Sequence, residues 1–322
     1  MSVLRASASP SVDVSAHPRR RTHVLITGAN CGIGLETAKA LARDSSFDVI
    51  TLACRDPARA NAALALVRAS ARPGREIRAR TLDLASKASC GDFCAAMMDA
   101  GEPLDCFVAN AGVMALPTRE TTRDGFEMQV GVNHLGHYAV IGGVFGALVE
   151  ASETNGGDSR IVVVSSEAHR IATRGMARDD LFGEKSYSAW GQYGQSKLAN
   201  VLFAFELARR CERAGLGIAT SALHPGAVDT NLGRYLQPPE AEVKWWQKKL
   251  YDVVRTNFLK TPAQGAETSV YLARDIARGE ANGKYYADCK EKACAKTCHD
   301  LDDARWLWER SAELTGVGFD SL

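Results

Sequence analysis

His23-Val-Leu-Ile-Thr-Gly-Ala-Asn-Cys-Gly-Ile-Gly34 is the stretch that decides the fold. A short β-branched run ends in a cluster of glycines. From Ile33 the spacing turns helical, with Ile33, Thr37, Ala40 and Leu41 on one face. Strand, glycine turn, helix is the context that a dinucleotide-binding turn requires. The glycines permit a tight turn and let backbone approach a pyrophosphate, and the helix N-terminus adds N–H groups and partial positive charge. The spacing is G-x-x-x-G-x-G rather than G-x-G-x-x-G, and a glycine cluster alone can be a structural turn. The flanking strand and helix favour the nucleotide reading, with Gly28, Asn30, Cys31, Gly32, Ile33 and Gly34 as its residues.

Outward from this turn the chain alternates. Strands are expected at 48–54, 76–84, 104–110, 160–165 and 217–223, and helices at 86–100, 126–150, 190–214 and 301–314. Asp56 is placed to cap a further Ala-rich helix, with Pro57 in its first position. Alternating β and α with near-continuous apolar strands predicts an α/β protein. Its expected form is a Rossmann-like doubly wound parallel sheet with helices on both faces, in one domain over 22–316. The stretch 228–260 breaks the alternation and reads as an insertion. Residues 1–21, rich in Ser, Ala and Arg, read as a disordered tail or a short targeting segment, and 317–322 as a frayed tail.

The second strand ends Leu52-Ala-Cys-Arg55. An NAD site places a carboxylate near this point to bind the ribose 2′-OH. No carboxylate lies on the apolar run, and Arg55 follows it directly. A guanidinium grips a 2′-phosphate with paired hydrogen bonds, which points to NADP(H). The plainer alternative pairs Arg55 with Asp56 at the surface. Asp83 and Leu84, ending the third strand, are placed to cover the adenine edge. Asn110-Ala111-Gly112, ending the fourth, lies at the carboxyl edge of the sheet, where ligands of such folds bind.

Tyr193 and Lys197 stand four apart on a predicted helix and so share a face. A free phenol has a pKa near ~10. A nearby ammonium favours the phenolate, and lowering the pKa by ~3 units takes ~4 kcal/mol of differential stabilisation. The pair then becomes a general acid/base. The spacing alone is common, and taken by itself it is better explained by a half-buried Tyr beside a solvated Lys.

The 322 residues are 46% hydrophobic and 24% charged, with net charge +1. That suits a globular domain with a sizeable core, and no bulk field draws it to nucleic acid. The nearest candidate for a membrane span, Ala139 to Val149, is too short and contains three glycines. Nine scattered cysteines without a secretory signal read as reduced thiols in an intracellular compartment, cytoplasmic or peripheral on a membrane, with a plastid left open.

These residues together resemble the short-chain dehydrogenases/reductases. The matching motifs are Thr27-Gly-x-x-x-Gly-x-Gly34, Asn110-Ala-Gly112, Asn133, Ser165-Ser166, Tyr193-x-x-x-Lys197 and Pro225-Gly226, in the family's order. Gly131-Val-Asn-His-Leu-Gly-His137, Ser165-Ser-Glu-Ala-His169, Tyr193-Gly-Gln-Ser-Lys-Leu-Ala-Asn200 and His224-Pro-Gly-Ala-Val-Asp-Thr-Asn231 are similar to its retinol-dehydrogenase-like branch. That branch also holds the WW-domain oxidoreductases, the reductases of the chloroplast-envelope translocon and protochlorophyllide-reductase-like proteins.

The resemblance implies a catalytic set of Asn133, Ser166, Tyr193 and Lys197. Tyr193 would exchange a proton with the substrate oxygen. Lys197 would lower its pKa and bind the nicotinamide ribose. Ser166, rather than Ser165, would hold the substrate oxygen, and Asn133 would anchor a water linking Lys197 to solvent. The bland reading of Asn133 is a helix-interior amide bonded to local backbone. Pro225, Gly226, Val228 and Thr230 would complete the cofactor site. Ser166 and Tyr193 are 27 residues apart, so the intervening loop, 167–189, is expected to border the substrate.

The implied activity is NADP(H)-dependent interconversion of a carbonyl and an alcohol on a lipophilic substrate such as a retinoid, steroid or lipid aldehyde. One alternative is C=C reduction of a tetrapyrrole. The light-dependent protochlorophyllide reductases carry Lys directly after the Tyr, and here that position is Gly194. The other alternative is an NADPH-binding redox sensor or scaffold, whose mark would be a broken catalytic set.

Two signals stand apart. Residues 244–260 are basic and amphipathic, with Trp246, Leu250, Val253, Val254 and Phe258 able to share a face. They read as a substrate lid, with peripheral membrane contact as the alternative. Cys289, Cys294, Cys298 and His299 invite a zinc reading. They lack a C-x2-C knuckle, so free thiols and no metal are expected. A homodimer is left open.

Overall fold

In the computed structural model the described residues are 20–229 and 259–322. Thr230 and nearly all of the amphipathic stretch 244–260 lie outside them, as do residues 1–19.

Eight strands form one sheet: β1 (His23–Thr27), β2 (Val49–Cys54), β3 (Glu76–Thr81), β4 (Cys106–Ala109), β5 (Ser159–Val164), β6 (Ile218–Leu223), β7 (Tyr285–Ala287) and β8 (Lys290–Glu291). Their order is β3-β2-β1-β4-β5-β6-β7-β8. All neighbours pair parallel except β7 and β8, which close the edge antiparallel. β1, β2, β4 and β6 are buried along their whole length, as strands covered on both faces must be. Side chains alternate between two cores: Val24 and Ile26 pack on one face with Leu41, Val67 and Leu272, and Leu25 and Phe107 on the other with Tyr138, Leu148 and Phe203.

The helices are α1 (Gly32–Arg43), α2 (Pro57–Ser70), α3 (Lys87–Asp99), α4 (Met128–Gly143), α5 (Phe145–Thr154), α6 (Ala189–Arg213), α7 (Pro262–Val270) and α8 (Leu301–Thr315). Asp56 caps α2 as expected, its carboxylate accepting from the N–H groups of Ala58 and Arg59, with Pro57 in the first turn. The single helix expected over 126–150 is two, bent by 55° at Val144. Within α4, Gly131–Leu135 is a π turn, which rotates Asn133 and the residues after it relative to a regular helix. No single helix among the described residues is long and apolar enough to cross a membrane, and the bent α4–α5 pair is core.

The C-terminal residues do not fray. Phe319 is buried against Tyr138, Phe145 and Trp308, with ring centroids 5.1, 5.1 and 4.7 Å away. Gly142 makes room: a Cβ there would stand 2.7 Å from Val317. The apolar anchor, Phe319, overrides the polar character of its neighbours.

The chain reverses its direction across the sheet between β1 and β4. A crevice opens outside the carboxyl ends of the strands at such a point. The glycine turn follows β1 there, and Asn110-Ala111-Gly112 follows β4.

Candidate active site

The crevice is an open cleft of about 560 Å³. One wall carries Gly28, Asn30, Cys31, Gly32, Ile33 and Gly34. Arg55, Asp83 and Leu84 lie beyond β2 and β3, and Asn110, Ala111 and Gly112 form the floor. Ser166, Tyr193 and Lys197 stand opposite, with Pro225, Gly226 and Val228 beside them. Every sequence-predicted site residue lines this cleft except Asn133, which is buried behind it, and Thr230, which lies outside the described residues.

The glycine turn has the shape of a cradle. Gly28 adopts φ +65°, which a side chain resists, and a Cβ there would stand 2.9 Å from the Ala111 backbone. A Cβ on Gly34 would lie 2.5 Å from both the Asn110 amide nitrogen and the Gly28 carbonyl. Close backbone approach therefore fixes these glycines, and it leaves room for a pyrophosphate at the start of α1.

Thr27, which sequence reasoning did not single out as a site residue, ties β1 to the floor. Its hydroxyl accepts from the backbone N–H groups of Asn110 and Ala111 at 2.9 and 3.0 Å. The same hydroxyl contacts His137 Nε2 at 2.8 Å, and His137 Nδ1 contacts the Asn133 carbonyl at 3.0 Å. A carbonyl only accepts, so Nδ1 carries the proton and Thr27 donates to Nε2. Complete burial holds the His137 pKa down to about 4, so the ring is neutral and this tautomer is fixed.

The Asn133 amide is equally committed. Its Oδ1 accepts from Val113 N–H at 2.8 Å, and its Nδ2 donates to the Val113 carbonyl and to Ser196 Oγ, each at 2.9 Å. Ser196 in turn donates to the Tyr193 carbonyl at 2.7 Å. Side chain and carbonyl alike are taken by protein partners, so Asn133 supports the Gly112–Val113 turn and α6.

On α6, Lys197 Nζ donates to the Val164 carbonyl at 3.1 Å and lies 5.7 Å from the Tyr193 ring centre. The two serines after β5 divide their labour. Ser165 Oγ donates to the Lys197 carbonyl at 2.7 Å and is structural. Ser166 lines the cleft beside Tyr193 and accepts from Ala168 N–H at 3.2 Å.

The electrostatics differ from the expected lowering of the phenol pKa. Burial pushes Tyr193 up to about 12, opposed only by the neighbouring Ser166 hydroxyl, and burial draws Lys197 down to about 8. Desolvation penalises the charged form of each. Near neutral pH Tyr193 carries its proton and can donate it.

Arg55 makes no ion pair among the described residues. Asp56, its alternative partner, spends its carboxylate on capping α2 and stands 3.9 Å from Arg59. Arg59 also reaches the cleft, in the first turn of α2. Trp190 is a further lining residue, edge-on to Tyr193 at 5.9 Å. No residue of the loop 167–189 lines the cleft; Ser166 before it and Trp190 after it do. Gly194 packs on the turn that follows Ser166: a Cβ would stand 2.9 Å from the Ala168 carbonyl and 3.0 Å from Ile171. A lysine there has no space. Among the described residues no three His, Cys, Asp or Glu side chains gather as a metal-holding group.

Comparison with known proteins agrees with this architecture. Residues 22–178 match the family model for short chain dehydrogenase. The chain is 40% identical over 306 residues to retinol dehydrogenase 14 of Homo sapiens, covering 91% of this chain and 86% of that one. It is 38% identical over 305 residues to a probable oxidoreductase of Streptomyces lividans, covering 91% and 97%. A crystal structure of an uncharacterized protein from Mycobacterium paratuberculosis superposes with a TM-score of 0.70 at 30% identity, over 93% of this chain and 95% of that one. An actinorhodin polyketide ketoreductase solved with NADPH shares the fold, with a TM-score of 0.60 at 23% identity, over 87% and 98%. With the relatives matched over nine-tenths of its length, the chain belongs to the short-chain dehydrogenase/reductase family, in its retinol-dehydrogenase-like branch, and is a carbonyl/alcohol oxidoreductase.

Proposed function

We propose that this enzyme uses NADP(H) to interconvert a carbonyl and an alcohol on a lipophilic substrate. The observation that carries the reading is the convergence of Ser166, Tyr193 and Lys197 on one side of a cleft whose other side is the glycine cradle.

The turn suits a dinucleotide: Cβ atoms at Gly28 and Gly34 would collide with Ala111, the Asn110 amide and the Gly28 carbonyl, so only glycine allows this close turn, and its residues line the cleft at the start of α1. Bound there, a nicotinamide supplies or accepts the hydride. The protein does the rest. The N–H groups at the start of α1 receive the pyrophosphate. Arg55, without an ion pair among the described residues and just after β2, binds the 2′-phosphate, with Arg59 in reach. Asp83 and Leu84 flank the adenine, and Asn110, Ala111 and Gly112 support the dinucleotide from below. Pro225, Gly226 and Val228 border the nicotinamide end.

Ser166 donates to the substrate oxygen and holds it as negative charge develops. Tyr193, protonated at neutral pH, gives that oxygen its proton. Lys197, held by the Val164 carbonyl, sits on the same helix face as Tyr193 and meets the ribose. Asn133 and His137 act as positioning residues, because their polar atoms reach protein partners rather than the cleft.

Two features support a lipophilic substrate. Val113, Met114, Trp190 and Leu259 give the cleft beside Tyr193 apolar walls, and the curated relatives include retinol dehydrogenases. Tetrapyrrole C=C reduction loses its support at Gly194, where packing excludes a lysine.

The test is NADPH oxidation by the purified chain against aldehydes and ketones of increasing apolar length, with NADH in parallel. The proposal expects kcat/KM to rise with apolar length and NADPH to be preferred. Preference for NADH, or for short polar carbonyls, would overturn it.

A further inference from the structure

Cys294, Cys298 and His299 form a cluster on the far side of the Ser166 turn, and the proposed hydride chemistry makes no use of it. Cys294 Sγ lies 3.3 Å from His299 Nε2. Cys298 lies four residues on from Cys294, on the 3-10 turn Lys296–His299, and the two thiols perturb each other's titration. Cys294 is partly exposed, whereas Cys298 is buried. His299 is held by its ring packing on Phe205 of α6, 5.5 Å between centroids. This arrangement has an accessible attacking sulfur, a second sulfur behind it and a fixed imidazole beside it.

The cluster is wired to the active site. Ala295, next to Cys294, donates its N–H to His169 Nε2 at 3.1 Å. His169 is fully buried, and its Nδ1 donates to the Ser166 carbonyl at 2.6 Å. Tyr285 bridges the same ring, at 3.3 Å from His169 Nδ1, to His224 at 2.9 Å, and His224 precedes the cleft residues Pro225 and Gly226. Arg170 adds a 2.5 Å bond to the Ala293 carbonyl. Both loops that border the reacting end of the cleft are thus anchored beside the two cysteines.

We propose that Cys294 and Cys298 are a dithiol redox site, oxidised to a disulfide by hydrogen peroxide, and that the bond loosens the Ser166 turn through Ala295 and His169. The Cys294 thiolate attacks the peroxide. An S–O bond forms, the O–O bond breaks, and the departing oxygen leaves as water after taking up a proton. Cys298 sulfur then attacks the sulfenic sulfur. The S–S bond forms, the S–O bond breaks, and the hydroxide leaves as water with the Cys298 proton. Two thiols are oxidised and one peroxide is reduced to two waters. The thiol environments agree. The neighbouring Cys298 thiol, then His299, draw the Cys294 pKa down, while burial pushes Cys54 up to about 11 and Cys90, Cys94 and Cys106 up to about 12.

The proposal extends the reading of Ser166 as the oxygen-holding residue, so its test begins with chemistry that needs no substrate. The reduced full chain is treated with hydrogen peroxide, remaining thiols are blocked with N-ethylmaleimide, and peptides are mapped without reductant. A Cys294–Cys298 disulfide is expected first, reversible by dithiothreitol. It should be absent in Cys294→Ser, and replaced in Cys298→Ser by a dimedone-trapped sulfenic acid on Cys294. In ¹⁵N-histidine-labelled protein the His169 ring signals should move on oxidation, and carbonyl turnover should fall several-fold in the wild type but not in Cys294→Ser. The site is refuted if another cysteine oxidises first while Cys294 stays alkylatable. The coupling is refuted if the disulfide forms and His169 does not respond. A reduced chain that turns over no carbonyl would instead count against the proposed function, with mapping and spectra still deciding this one.

Discussion

Arg55→Ala separates cofactor choice from everything else that this chain does. Arg55 is exposed, lines the cleft and makes no ion pair among the described residues. Its removal leaves no buried partner unpaired, so stability should change by less than about 0.5 kcal/mol. What is lost is a charge-assisted, paired hydrogen bond to the 2′-phosphate. Such bonds contribute about 1.5–3 kcal/mol, and the solvent around Arg55 screens the gain toward the lower half of that range. About 1.5–2 kcal/mol corresponds to roughly 10–30-fold weaker NADPH binding. NADH has no 2′-phosphate, so its affinity should not move. Arg59, itself 74% exposed and held only loosely by Asp56 at 3.9 Å, can replace part of the lost charge. The double variant with Arg59→Ala should therefore lose more for NADPH and still nothing for NADH. Fluorescence titration of both cofactors, with thermal melts as control, reads all of this. Equal losses for NADPH and NADH would refute the 2′-phosphate assignment.

Three further outcomes follow from burial. Lys197 has its folded pKa drawn from 10.5 to about 8, so the unfolded chain binds more protons between those values. Stability thus rises with pH across that window, and below it the charged lysine costs about 3 kcal/mol. Lys197→Met should raise stability at pH ~7 by about 2 kcal/mol, after the lost Val164 hydrogen bond is counted, while abolishing turnover; a destabilised variant would contradict the burial argument. Three buried histidines, His23, His134 and His137, have pKa values lowered to about 4, 3 and 4. They stay neutral in the fold but protonate in the unfolded chain below pH ~6.5, so stability should fall with acid, by about 4 kcal/mol per pH unit near pH ~5. A flat urea-melt series over that range would count against it. Gly194→Lys must displace Ala168 or Ile171, so it should cost about 1–3 kcal/mol and slow turnover through the Ser166 turn; wild-type stability and rate would refute the packing account.

Much of the fold was legible because its signals are local. His23–Thr27 and Val49–Cys54 read as strands because both faces are covered, and Asp56-Pro57 announces a helix start from two residues. The glycine turn is legible for the same reason. What escaped depends on distant partners. The π turn at Asn133 and the bend at Val144 leave no mark in the hydrophobic period of α4. β7 and β8 are too short to show a pattern, and Phe319 is an isolated apolar residue whose pocket comes from three other segments. Thr27 and His137 meet across 110 positions, and Asn133 and Ser196 across 63, so their links exist only in the fold. The sign of the Tyr193 shift escapes the sequence because spacing reveals the neighbouring charge and not the burial that raises the pKa.

The central claim is that Tyr193 transfers the proton in an NADPH-dependent carbonyl reduction. Tyr193→Phe removes the hydroxyl and keeps the ring packed beside Trp190. The direct measurement is NADPH affinity and single-turnover NADPH oxidation by this variant, with the best apolar carbonyl of the wild type. Unchanged NADPH affinity with a rate about 10²–10⁴-fold lower is the predicted result. Equal affinity with equal turnover would contradict the account.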